Sequence, residues 1–165
     1  MDGEHILGES GTPFQVTDFA ANQSIIQELA QQARTRLIIF DQALAGDLFN
    51  STDFIDALRR LLAGNRRSEI RVLVADLDRA RRNAPQLFQL SRRSPSHVHI
   101  RQTERPYHHA FVVADGTGYL DHRMGTGHEA EVNFNHPAQA ASLTSFFDEI
   151  WNRSEASAEA QESGL

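Results

Sequence analysis

The chain has 165 residues, 40% hydrophobic and 23% charged, the make-up of one globular domain with a single core. It has no cysteine, which excludes disulfides, thiolate metal sites and a Cys nucleophile; all 16 basic residues are arginine, which excludes a Schiff-base or phosphate-clamping lysine. No apolar run approaches the ~18 residues of a membrane span, and the acidic, polar opening MDGEHILGES lacks the basic and apolar regions of a secretory signal, so a cytoplasmic location without membrane insertion is expected.

Residues 1–13 hold three Gly and a Pro without apolar periodicity and read as a flexible tail. Thr17 or Asp18 caps an early turn, and Asn22 to Arg34 carries Ile25, Ile26, Leu29 and Ala33 at helical spacing. Arg36 to Phe40, closing on Asp41, is a buried strand. Ser51 or Thr52 caps a helix to Ala63 that Gly64 stops. Glu69 to Ala75 is a second strand, followed by helix from Leu77 to Arg93 that Pro85 interrupts or restarts. His97 to Arg101 alternates as a third strand. Ala110 to Ala114 is a fourth, turning through Asp115-Gly116-Thr117-Gly118 into Tyr119-Leu120. Glu131 to Phe134 is a further strand, and Pro137 opens a last helix with Leu143, Phe146, Phe147, Ile150 and Trp151 on its apolar face. The small acidic segment from Ser154 to Leu165 reads as a second flexible tail. Alternation of strand and helix, then clustered strands, then a closing helix predicts one α/β domain over residues 14–153. Its mixed β-sheet has parallel strands first and helices on both faces.

Charge is uneven along this domain. Residues 1–58 carry 2 Arg against 9 acids, residues 59–105 carry 12 Arg against 4, and residues 106–165 carry 2 Arg against 9. The Arg-rich middle falls on helices or at their ends, either as solvated faces paired with the outer acids or as an anion-binding surface.

The segment His108-His-Ala-Phe-Val-Val-Ala-Asp115 resembles the signature of the phospholipase-D family, in which a histidine is followed by a lysine two places on and an aspartate seven places on. His108 and Asp115 fall on the first and last positions, and Ala110 falls on the lysine. The unit Leu37 to Ala75 is similar to the family's opening strand-helix-strand, and Glu131, Pro137 and the Phe146-Phe-Asp-Glu-Ile-Trp151 helix are similar to the end of its repeat. The chain also resembles an uncharacterised proteobacterial domain related to that fold. The resemblance implies a phospholipase-D-like single domain over most of the chain. In that family the histidine attacks phosphorus, the lysine stabilises the phosphoryl oxygens, and the aspartate orients and charges the histidine system. Two motifs must meet so that a second histidine can protonate the leaving group. With no second repeat here, the resemblance implies a homodimer that brings two His108 neighbourhoods together.

Ala110 carries neither charge nor donor, so His108, Ala110 and Asp115 form a vestigial motif without an assignable catalytic residue. Asp121-His122 replaces the glycine-serine pair expected downstream, and an acid there would repel a phosphodiester. His108 and His109 face opposite ways in a strand: one lines the pocket and the other lies outside, or both are polar residues at a strand end. Asp115 is equally a turn residue. His108, Asp121, His122, His128, Glu129, Glu131 and His136 lack metal-site spacings, and no cofactor or metal is implied. Candidate anion-binding residues are Arg66, Arg67, Arg81, Arg82, Arg92, Arg93, Arg105 and Arg123. The expected function is a non-catalytic binding or regulatory module for a protein, small anion or nucleic acid; the alternative is a phosphodiesterase or nuclease with an Arg-assisted site.

Overall fold

The computed structural model describes residues 5–122 and 127–163, with side chains through Ser154. In chain order the elements are β1 (Phe14–Val16), α1 (Phe19–Gln32), β2 (Arg36–Asp41), α2 (Gly46–Phe49), α3 (Thr52–Gly64), β3 (Glu69–Val74), α4 (Leu77–Asn83), α5 (Pro85–Arg93), β4 (Val98–Gln102), β5 (Ala110–Ala114), β6 (Gly118–His122), β7 (Ala130–Asn133) and α6 (Pro137–Ser163). They build the expected mixed α/β domain. The helix boundaries have local causes. Asp18 accepts from the Ala21 amide (2.7 Å) to open α1, Ser51 from Phe54 to open α3, and Asp76 from Arg79 to open α4. Pro85 lacks the amide that would continue α4 and stands at the first position of α5. Gly64, expected to stop α3, is its last helical residue, with extended Asn65 as the cap.

The seven strands lie in the order β1-β7-β6-β5-β2-β3-β4. β2, β3 and β4 are parallel, as helical crossovers require, while β5 with β6 and β6 with β7 pair antiparallel in chain succession, and β5 with β2 and β1 with β7 pair antiparallel across long separations. Side-chain alternation divides the core. Leu37, Ile39, Val72, Val74, Val112 and Leu120 face one layer of α1 to α5; Ile38, Phe40, Leu73, Phe111, Val113 and Tyr119 face Leu143, Phe147, Ile150 and Trp151 of α6.

Two segments differ from the sequence expectation. Residues 5–10 are held against the domain: Gln32 binds the Leu7 amide (2.7 Å) and the His5 carbonyl (2.7 Å), the Gly8 amide donates to Phe134, and the His5 ring stacks on Phe14. The hydrogen bonds to Gln32 and Phe134 span 25 or more positions, beyond any local pattern. At the other end α6 carries through Ser154 to Ser163.

Candidate functional site

The pairing of β5 with β6 sets Ala110 opposite His122. The pairing of β5 with β2, which joins Phe40 to Phe111, places Asp41 beside Ala110 one residue further on. Asp41, Ala110 and His122 thus form a row across three strands on the α1–α5 face, neighbours being ~5 Å apart. A cavity of about 20 Å³, closed by Ile26, Leu48, Phe49 and Leu120, lies against all three.

The Asp41 carboxylate accepts from the amides of Leu44 (2.8 Å) and Ala43 (3.3 Å), in a loop tight enough to hold Leu44 at φ 55°. Burial pushes this carboxyl above its ordinary range, against the opposing pull of the Leu44, Ala43 and Gln42 amides and of His122. Burial also holds the His122 imidazole below its ordinary range. The Glu129 hydrogen bond and the Asp41 and Asp121 carboxylates pull it up, and His128 pushes it down. Nδ1–H of His122 donates to the Glu129 carbonyl (3.0 Å). A carbonyl only accepts, so the neutral ring keeps its lone pair on Nε2.

Outside this row opens a pocket of about 280 Å³, lined by Asp41, Arg79, Asn83, His108, His109 and Ala110 among others. Arg79 and Asn83 share one face of α4, four residues apart. Asn83 donates to the Ala43 carbonyl (2.9 Å), tying α4 to the loop after β2. Gly46, the first residue of α2, sits so close to α4 that a Cβ there would lie 2.8 Å from the Asn83 carbonyl oxygen. The exposed Arg79 guanidinium has no ion pair with any described residue.

Both His108 and His109 reach the pocket, contrary to the alternation expected of them, because they precede the first strand residue, Ala110. Their partners differ. His109 donates from Nε2 to Asp121 Oδ1 (2.5 Å) and packs its ring on Phe111 and Phe146, on the α6 face. Asp121, 2% exposed, therefore lies on the α6 face as the partner of His109; the acid beside Ala110 is Asp41. This corrects the reading of Asp121 as the pocket's repelling group.

Asp115 lies at the far end of β5, five strand residues or roughly 17 Å beyond the pocket. At φ 55° its carboxylate accepts from the backbone amides of Arg34, Thr35 and Arg36 and from the Thr35 hydroxyl, at 2.9–3.1 Å. It anchors the entry to β2 and does not orient His108. The eight arginines singled out in the sequence do not all share one surface. Arg66 and Arg67 occupy the α3–β3 turn, and Arg92 and Arg93 the last turn of α5. Arg81 pairs with Asp78 (3.4 Å), Arg82 is exposed on α4, and Arg105 covers the Tyr107 ring (4.3 Å). Arg123 lies outside the described residues. Among the described residues no three His, Asp or Glu side chains group as metal ligands, and no helix is long and apolar enough to cross a membrane.

This mixed α/β architecture is the phospholipase-D fold, shared with solved structures of that kind. Nuc from Salmonella typhimurium, a phospholipase D family member, superposes with a TM-score of 0.58 at 14% identity, over 86% of this chain and 95% of its own. NucT from Helicobacter pylori superposes at 0.57 and 10% identity, over 86% and 96%. The archaeal chromatin protein TrmBL2, with its novel mode of DNA binding, superposes at 0.62 and 12% identity, over 86% of this chain and 52% of its own. At these identities the likeness is one of fold. No curated protein sequence matches the chain. A family model, the domain of unknown function DUF7931, matches residues 18–162, and the chain belongs to that family.

Proposed function

We propose that the chain is a non-catalytic binding module on the phospholipase-D fold, working as a homodimer that sets two His108 pockets toward each other. The observation that carries this reading is the row Asp41–Ala110–His122. At the position of the family's cationic amine there is a methyl group, and beside it a carboxyl. A phosphodiester seated on His108 meets no donor from the strand and a repelling oxygen pair once Asp41 ionises. Loss of one preorganised donor costs on the order of 10²–10³ in rate, and a symmetric dimer loses two. The superposition with TrmBL2, a DNA-binding chromatin protein, supports a binding role for this fold.

A second reading rests on Arg79, whose unpaired guanidinium lines the same pocket as His108 and could grip a phosphoryl group. Hydrolysis of bis(4-nitrophenyl) phosphate separates the two. The module reading expects no release above buffer from the wild-type chain; turnover abolished by both His108→Ala and Arg79→Ala establishes the enzyme instead. Light scattering on the eluting protein tests the dimer, with a mass of about twice 18.5 kDa expected and a monomer at micromolar concentration overturning that part.

A further inference from the structure

The three parallel strands begin at one end of the sheet, so the three helix-to-strand connections that feed them lie side by side there. α1 runs through residues 33–35 into β2, α3 through 65–68 into β3, and α5 through 94–97 into β4. The connections are stitched together. Asn65 Nδ2 donates to the Arg34 carbonyl (3.2 Å), the Glu69 amide to Thr35 (3.0 Å), and His97 Nδ1–H to the Ser68 carbonyl (2.9 Å). This end carries Arg34, Arg60, Arg66, Arg67, Arg92 and Arg93, all exposed, and none makes an ion pair or side-chain hydrogen bond with a described residue. Arg34 and Arg60 flank a groove of about 310 Å³ between α1 and α3.

Three carboxylates at this end are already engaged, Asp115 by three backbone amides, Glu69 by Arg36 (3.6 Å) and Arg71 (3.0 Å), and Asp148 by Arg36 (3.4 Å), while exposed Glu9 lines a pocket beside Arg34 without an ion pair to a described residue. The sequence holds no acid between Asp56 and Glu69 or between Asp78 and Glu104. Arginine at helix C-termini has an ordinary use, since each terminus carries about −0.5 charge. Three termini supply about −1.5 against six guanidiniums, so the dipoles account for a quarter of the charge.

We propose that this end of the sheet is a docking surface for the phosphate backbone of duplex nucleic acid, independent of the His108 pocket at the opposite end. A protein partner needs apolar or aromatic anchors at the centre of its interface. Among the described residues the one large hydrophobic side chain that is exposed is Ile6, which shares a pocket with Arg34 at the margin of this surface and is a single side chain instead of a central cluster. Six unpaired guanidiniums without aromatic platforms suit phosphates, and not unstacked bases, which require ring surfaces.

The test is fluorescence anisotropy with a labelled 20-base-pair duplex of arbitrary sequence, the whole chain being titrated from low to physiological salt. We expect binding whose logarithm falls linearly with the logarithm of salt, by about 0.9 per phosphate neutralised. Arg66→Glu with Arg67→Glu, and separately Arg92→Glu with Arg93→Glu, each weaken binding at least ten-fold and flatten that slope by about 1.8. The milder pairs to Gln act in the same direction, and unchanged melting curves exclude unfolding as the cause. Arg82→Glu, at the other end of the domain, leaves binding intact. Absence of duplex binding at 50 mM salt, double reversals without effect, or polyglutamate competing as well as duplex overturns the proposal; the last result assigns the surface to an acidic protein.

Discussion

Replacing Asp115 tests the separation of this residue from the chemistry its motif suggests. Its carboxylate collects three backbone amides and one hydroxyl from Arg34, Thr35 and Arg36 at 2.9–3.1 Å. Hydrogen bonds to a charged acceptor stabilise by about 1.5–3 kcal/mol each when shielded, but water reaches this site, so about 0.5–0.8 each is a fair discount. That gives about 2–3 kcal/mol for the set. Asp115→Ala also places a Cβ at φ 55° without a polar side chain to stabilise that conformation, adding about 1 kcal/mol. The expected total is 3–4 kcal/mol, or roughly 8–14 °C in melting temperature for a chain of this size. Asp115→Gly loses the same hydrogen bonds but accepts the positive φ, and should recover about 1 kcal/mol of the deficit. Asp115→Asn keeps one acceptor oxygen and tolerates the conformation, so it should cost about 1 kcal/mol. Urea unfolding followed by the fluorescence of Trp151, the single tryptophan and 4% exposed, gives all three numbers. A cost below 0.5 kcal/mol for Asp115→Ala refutes the anchoring role.

Other expectations concern the pocket. His122 has a depressed folded pKa, so the fold loses stability as pH falls through the ordinary histidine value of 6.5; His122→Gln should flatten that decline in urea melts between pH 7.5 and 5.5. Asp41 has a raised pKa, so its contribution is fully present below the ordinary 3.8 and is lost as pH rises; Asp41→Asn should therefore be more stable than wild type at pH 7, with the gain vanishing toward pH 4. Gly46→Ala forces a methyl to 2.8 Å from the Asn83 carbonyl and should cost about 1–3 kcal/mol, with amide exchange accelerating in α4.

Much of this fold was legible because its signals are local. The apolar runs of β2 and β3, the break at Pro85 and the cap residues Asp18 and Ser51 each depend on neighbours a few positions away. β1 and the four-residue α2 were not legible, since neither carries a full period. The site was half legible. His108 and Ala110 came from the motif, but Asp41 read as the end of a strand, and Arg79 as one arginine in a run. Asp121 was placed in the pocket by adjacency along the chain. A signal for the correct assignment was present: a hairpin that closes Ala114 on Gly118 pairs Ala110 with His122 and turns Asp121 to the other side. Asp41 needed the β2–β5 register, set by a strand pair some 70 residues apart in sequence, which no local pattern encodes.

The single-helix cover on one side of the sheet has a bearing on biosynthesis. Ile38, Phe40, Leu73, Phe111 and Val113 all precede Pro137 in translation order, and their lid comprises Leu143, Phe147, Ile150 and Trp151. A nascent polypeptide threaded out of the ribosome as far as β7 presents a bare, greasy plane of aromatic and branched side chains, a natural client for a chaperone. Shielding is complete only after α6 clears the exit tunnel, so released chains that end before Leu143 should aggregate far more than chains that include α6 through Trp151.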